Sequence, residues 1–383
     1  MNAAMWKWTV FASLSILIAG CGSSGPMRAD DAPAVELADD GPMVRVVWSA
    51  NVGDARTPHH RLELALQEDL IVAAAADGQV TAFDAASGEV QWQVSLDVQI
   101  SGGPGAGEEG IALGTADGGI LLLSESDGSV RWRSRVSSEV LAPPAVGQDT
   151  VVARTGDGRV FALEASDGSQ RWLYSRSVPS LSLRGHSAPV LVRNGVVSGF
   201  DNGRLSALAL TDGDPAWEAT VAVPEGRTDL ERMIDIDADP LVARGDLFAG
   251  AYQGRLTGIS LGSGDIAWAR ELSLLGGLAV DSSNLYATDA EGRVWALDRR
   301  NGASVWRADD LSGTMLTAPA LHAETIAVAG SDGYVTWLGP DDGRLLARHQ
   351  VGGAKIAAAP LEHAGRLYVL DLDGRLHAVE IDQ

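Results

Sequence analysis

Residues 70–92 read LIVAAAADGQVTAFDAASGEVQW, and this stretch decides the fold because the chain repeats it. The frame returns as GIALGTADGGILLLSESDGSVRW at 110–132, TVVARTGDGRVFALEASDGSQRW at 150–172 and GVVSGFDNGRLSALALTDGDPAW at 195–217. It returns again as DLFAGAYQGRLTGISLGSGDIAW at 246–268, NLYATDAEGRVWALDRRNGASVW at 284–306 and TIAVAGSDGYVTWLGPDDGRLLA at 325–347, and RLYVLDLDGRLHAVEIDQ at 366–383 is a shortened eighth copy. A first turn glycine recurs at Gly78, Gly118, Gly158, Gly203, Gly254, Gly292, Gly333 and Gly374. A second stands ten residues later at Gly88, Gly128, Gly168, Gly213, Gly264, Gly302 and Gly343. Asp-Gly, Asn-Gly and Glu-Gly pairs suit tight hairpins, and the short apolar runs between them suit strands. Each copy therefore reads strand, turn, strand, turn, strand.

A further strand precedes each copy. Proline marks its start fourteen residues before the first glycine, at Pro104, Pro144, Pro189, Pro240, Pro319 and Pro360, with Leu64 and Leu278 in the other two copies. A proline at a first strand residue removes no donor that the ladder needs. Four strands every 38 to 51 residues is the period of a propeller blade. The predicted fold is all-β: an eight-bladed β-propeller over 43–383, four antiparallel strands per blade. The eighth copy lacks a second glycine, which would fall at 384. Met43-Val44-Arg45-Val46-Val47-Trp48 has the sequence of the missing outer strand and is predicted to close the ring. Tryptophan stands four residues after the second glycine at Trp92, Trp132, Trp172, Trp217, Trp268 and Trp306. Trp48 takes that role at the closure and Ala347 breaks the pattern. These rings are expected between blades, where large aromatic side chains bury the most area.

The ends and the charge bound the function. Of 383 residues, 45% are hydrophobic and 21% charged, enough for a large core, and the net charge is −22. That balance argues against nucleic acid, which needs a basic, counterion-releasing surface, and against electrostatic attachment to anionic lipid. The segment 1–20 carries Lys7 and the apolar run WTVFASLSILIA, of signal-peptide length. It runs into Ile18-Ala19-Gly20-Cys21, which resembles the bacterial lipobox. The resemblance implies lipidation at Cys21 and, with Gly22 following, sorting to the outer membrane. Cys21 is the single cysteine, so no intrachain disulfide is possible. Residues 21–42 (CGSSGPMRADDAPAVELADDGP) read as the lipidated cysteine and a flexible tether, whose roughly 20 residues reach at most about 70 Å.

The copies are unevenly spaced. First-glycine intervals run 40, 40, 45, 51, 38, 41 and 41. The long ones come from LYSRSVPSLSLRGHSAP (173–189) and EATVAVPEGRTDLERMIDIDADP (218–240), which join one outer strand to the next inner strand. Such connections share a rim with the first-glycine turns, so the two loops are expected side by side on one face. Enlarged loops on one face of a repeat fold mark a binding surface. Leu181 and Leu183 beside Arg184 form a candidate anchor, and Asp235 and Asp237 alternate with Ile234 and Ile236. Two readings stay open for the carboxylates: a partner contact or a brace within the loops.

The copies containing Ala82-x-Asp84-x-x-Ser87-Gly88-x-x-x-Trp92 and Ala296-x-Asp298-x-x-Asn301-Gly302-x-x-x-Trp306 resemble the tryptophan-docking repeat of PQQ-type quinoproteins. Quinoprotein alcohol dehydrogenases hold their quinone against a vicinal disulfide, which this chain cannot form. It has no EF-hand-type Asp-x-Asp-x-Asp-Gly loop, no G-x-S-x-G and no H-E-x-x-H. No enzyme activity, cofactor or metal is expected; a quinoprotein-like enzyme or ligand sensor is the alternative. SLSLRGHSAP and MIDIDADP, on an eight-bladed propeller behind a lipobox, resemble the BamB family, the propeller lipoproteins of the outer-membrane β-barrel assembly (Bam) complex. The resemblance implies a non-enzymatic scaffold on the periplasmic face of the outer membrane. It assigns Leu181, Leu183, Arg184, Asp235 and Asp237 to contact with periplasmic POTRA domains of the core subunit BamA. Whether barrel precursors are touched as well is left open.

Overall fold

The computed structural model describes residues 37, 41–53, 61–179, 181, 187–224, 227–228, 233–356 and 358–382. Strands are the only regular elements among them, arranged as eight four-stranded antiparallel blades in a ring. Blade 1 comprises Leu64–Gln67, Leu70–Ala74, Gln79–Asp84 and Val90–Ser95, paired in that order from the inside outwards. Blades 2 to 7 occupy 100–135, 145–175, 190–220, 241–271, 274–308 and 320–350. The ring closes as predicted: Val44–Asn51 pairs antiparallel with Arg375–Ile381 as the outer strand of blade 8.

Burial along a blade explains the sequence pattern. Middle strands such as Thr150–Arg154 are buried at every residue, because both faces of a blade are covered by neighbouring blades. They therefore read as continuous apolar runs instead of alternating ones. Outer strands alternate: in Val90–Ser95, Trp92 is buried while its neighbours Gln91 and Gln93 are exposed.

The tryptophans are the fastenings between blades. Each indole N–H donates to a backbone carbonyl of the next blade: Trp48 to Ala85, Trp92 to Glu125, Trp132 to Ala165 and Trp172 to Leu210, at 2.8–3.1 Å. Trp217, Trp268 and Trp306 do the same with Leu261, Arg299 and Pro340, at 2.7–3.0 Å. Each ring also lies flat on the second glycine of the next blade. At Gly128 (φ +70°) a Cβ would sit 2.6 Å from the Trp92 ring, so the turn and the packing both demand glycine there. The Ala347 exception has a physical reason. Blade 8 receives its outer strand from Val44–Asn51, so no second-glycine turn waits there for a ring. Trp337, opposite Ala347 on the adjacent strand, fills this interface with Val379 and Ile381 and donates its Nε1–H to His322 Nδ1 at 3.0 Å.

Two features differ from the sequence reading. Pro104 and Leu278 do not open their strands but lie inside Ile100–Gly107 and Leu274–Val280. In both, a Gly-Gly pair (Gly102-Gly103, Gly276-Gly277) stands at a register shift and lets the strand run on towards the rim. The second feature is a fifth strand. Arg61–Leu62 pairs in parallel with Gly102 and Gly103 on the inner edge of blade 2, which places it in the central channel.

Candidate partner-binding face

The two enlarged connections leave the outer strands Gln170–Ser175 and Pro215–Thr220 and return to the inner strands Val190–Val192 and Leu241–Ala243. Both begin over first-glycine turns. The amide of Arg176 donates to the Gly158 carbonyl at 2.9 Å, and those of Val221 and Ala222 to the Gly203 carbonyl at 2.9 and 3.1 Å. The loops are thus adjacent on one rim, as the spacing predicted.

They are cross-braced at both ends. Where they leave, the Tyr174 hydroxyl donates to Glu218 Oε1 at 2.8 Å and accepts from Arg176 Nε at 2.6 Å. The Arg176 guanidinium is also paired with Glu218 and lies 5.4 Å from the Tyr174 ring centroid. Where they return, Asp239 Oδ1 accepts the Ala188 backbone N–H at 2.6 Å, linking the last residues of the two loops. Arg61 joins this carboxylate from the channel with a two-pronged pair, Nη1 to Oδ1 at 2.7 Å and Nη2 to Oδ2 at 2.6 Å. Glu63 also pairs with Arg61. Burial raises the Glu63 carboxyl above its ordinary value, and Arg61 offsets only part of that. Beneath the loops lies a fully buried ion pair, Arg154 with Asp201, spanning blades 3 and 4. Removing either partner would strand a charge out of water.

The residues singled out in the sequence occupy different places. Leu181 is 43% exposed on the first loop. Asp235 is fully buried and its carbonyl accepts the Tyr252 N–H at 2.9 Å, so its side chain stands beneath the surface of the second loop. Asp237 is half-buried. Ile234 and Ile236 are both buried, packing beside Gly203 and Gly199, so the Ile-Asp alternation does not split into a wet and a dry side. Leu183, Arg184 and Cys21 lie outside the described residues. Two exposed apolar residues escaped the sequence reading: Val178 (43%) on the first loop and Val223 (58%) on the second. With Leu181 they give the rim an apolar lining from both loops. Among the described residues, no three His, Cys, Asp or Glu side chains converge as a metal would require.

The braces had a faint signal in the sequence. Glu218 is the one acid among the residues that directly follow the docking tryptophans, the others being Ser49, Gln93, Arg133, Leu173, Ala269 and Arg307. Asp239 is likewise the one charged residue directly before an inner-strand proline. A residue that breaks a repeat at a fixed place has a local job, here holding an inserted loop.

Comparison with known proteins agrees with this architecture. A family model described as outer membrane protein assembly factor BamB matches residues 76–308. A BamB from Alkalilimnicola ehrlichii is 48% identical over 367 residues, covering 96% of this chain and 94% of the relative. One from Pseudomonas aeruginosa is 42% identical over 379 residues, covering 98% and 99%. The crystal structure of BamB from Moraxella catarrhalis superposes with a TM-score of 0.81 at 28% identity, covering 88% of this chain and all of that one. A quinohemoprotein alcohol dehydrogenase from Comamonas testosteroni superposes with a TM-score of 0.69 at 12% identity, which reflects the shared propeller alone. With the match sustained along nearly its whole length, the chain belongs to the BamB family of outer membrane protein assembly factors.

Proposed function

We propose that this protein is a non-enzymatic scaffold of outer membrane protein assembly, held to the membrane by lipid on Cys21, that docks through its two braced loops on periplasmic POTRA domains of a BamA-type core subunit. The observation that carries the reading is the rim itself. Leu181, Val178 and Val223 expose apolar surface on loops whose roots are fixed to one another, so the roots lose little conformational freedom when a partner covers them. Apolar anchors beside an arginine are the composition of an interface centre. In this scheme Leu181, Leu183 and Arg184 meet the partner and Asp237 supplies a charged contact. Buried Asp235 holds the second loop in shape from below. The chain works by presenting a shaped surface and so assists folding and insertion of barrel proteins without chemistry of its own. Several acyl chains on Cys21 would make anchoring effectively permanent, since each buried methylene contributes about 0.8 kcal/mol.

Co-purification with a POTRA fragment tests the docking. Leu181→Ala combined with Arg184→Glu is expected to weaken retention by about 2–4 kcal/mol while leaving the unfolding midpoint unchanged. Undiminished retention would remove these loops as the docking surface.

A further inference from the structure

We infer that Arg61 is the positioning residue of the partner-binding face: from the central channel it holds the returning ends of both long loops in one arrangement. The inference rests on the function proposed above. Arg61 belongs to neither loop. It sits on the short parallel strand against the inner edge of blade 2, yet its guanidinium closes a two-pronged pair with Asp239, two residues before the inner strand of blade 5. The same carboxylate takes the Ala188 N–H at 2.6 Å, at the end of the other loop. One side chain from the channel therefore fixes a node in which both loops end.

The chemistry of the node decides what Arg61 contributes. A guanidinium that meets both carboxylate oxygens sets the orientation of the acid as well as its distance, which a lysine cannot do. The orientation matters because Asp239 Oδ1 must face Ala188. Solvent still reaches the pair, with Arg61 28% and Asp239 35% exposed. An ion pair of that exposure adds little to global stability. Its loss would be felt locally: Asp239 would turn towards water, the Ala188 bond would open, and the loops would no longer end at a shared point. This separates a positioning role from a structural one, because the two predict different responses to the same substitution.

The test uses the soluble mature chain, full length apart from lipid, with a purified POTRA fragment as probe. Arg61→Met keeps the apolar stem and Arg61→Lys keeps the charge, and both leave Asp239 in place as the acceptor of the Ala188 N–H. Hydrogen exchange at Ala188 is expected to speed up by about tenfold in Arg61→Met and to be partly restored in Arg61→Lys. Thr325–Ala329 in blade 7 should stay protected throughout, which guards against a variant that merely folds badly. POTRA affinity should fall in step with Ala188 protection. Unchanged exchange at Ala188 overturns the inference. So does lost protection with full affinity, provided Leu181→Ala still weakens binding. If neither Arg61→Met nor Leu181→Ala affects binding while Ala188 loses protection, Arg61 does order the loop ends and the docking proposal is what falls.

Discussion

At the scale of single residues, the molecule is held by a contact made seven times over. A tryptophan on the outer strand of one blade lies on a glycine of the next and donates to a nearby carbonyl. The glycine is required twice, by its positive φ and by the ring above it. At Gly128 the φ is +70° and the Trp92 ring occupies the space of a side chain. Gly128→Ala is expected to cost about 2–4 kcal/mol from backbone strain and overpacking together, measured as a lower urea midpoint. Because the turn holding Gly128 lies on the rim opposite the enlarged loops, the proposed POTRA binding of the folded fraction should not change. A midpoint within experimental error of wild type would refute the docking account of these glycines.

At the scale of elements, the seam between blades 7 and 8 departs from the rule and brings a titratable group with it. His322 stands where Trp337 needs an acceptor: its Nδ1 accepts the indole N–H, and its Nε2 faces the Gly365 carbonyl at 3.0 Å. That pair of partners calls for a neutral ring protonated at Nε2. Burial pushes its pKa below the ordinary 6.5, and the Gly365 carbonyl restores only part. The sign follows from linkage: below about pH 6.5 the unfolded chain takes up a proton that the folded chain resists. Stability is therefore full above that pH and declines as pH falls from there towards the folded-state value. Buried His377 shifts the same way, with Asp371 opposing, so two groups contribute to the slope. Chemical denaturation at pH 7.5 and pH 5.5 should show a loss that shrinks in His322→Gln without vanishing. An identical loss in that variant would mean that the ring is already charged in the fold.

At the scale of the whole molecule, closure turns eight blades into one body. Val44–Asn51 carries two jobs in eight residues: it completes blade 8 against Arg375–Ile381, and its Trp48 fastens blade 8 to blade 1. Deleting residues 43–51 should expose a long edge strand and release one fastening together. The expected result is a lower thermal midpoint and higher-order species in size-exclusion chromatography, since unpaired edges recruit other edges. A monomer of unchanged midpoint would show that closure by the N-terminal strand is dispensable. For the docking proposed above, the closed ring would fix the spacing of loops from separate blades before a partner arrives.

The sequence by itself determined the architecture, for a physical reason. A blade is built from contacts that recur at fixed intervals, so the glycines, the prolines and Trp92 through Trp306 announce it without knowledge of the fold. It also showed that two connections were long and had to share a rim. What it could not give was the state of individual side chains in those loops. Asp235 and Asp237 look alike in MIDIDADP, yet one is buried and the other half-exposed, because insertions follow no repeat and their packing depends on neighbouring blades. Arg61 and Asp239 are 178 positions apart, and Tyr174 and Glu218 are 44 apart. No local pattern links such partners. Only the closing of the ring, which brings blade 2, the channel and blade 5 within reach of one another, decided which charges would meet.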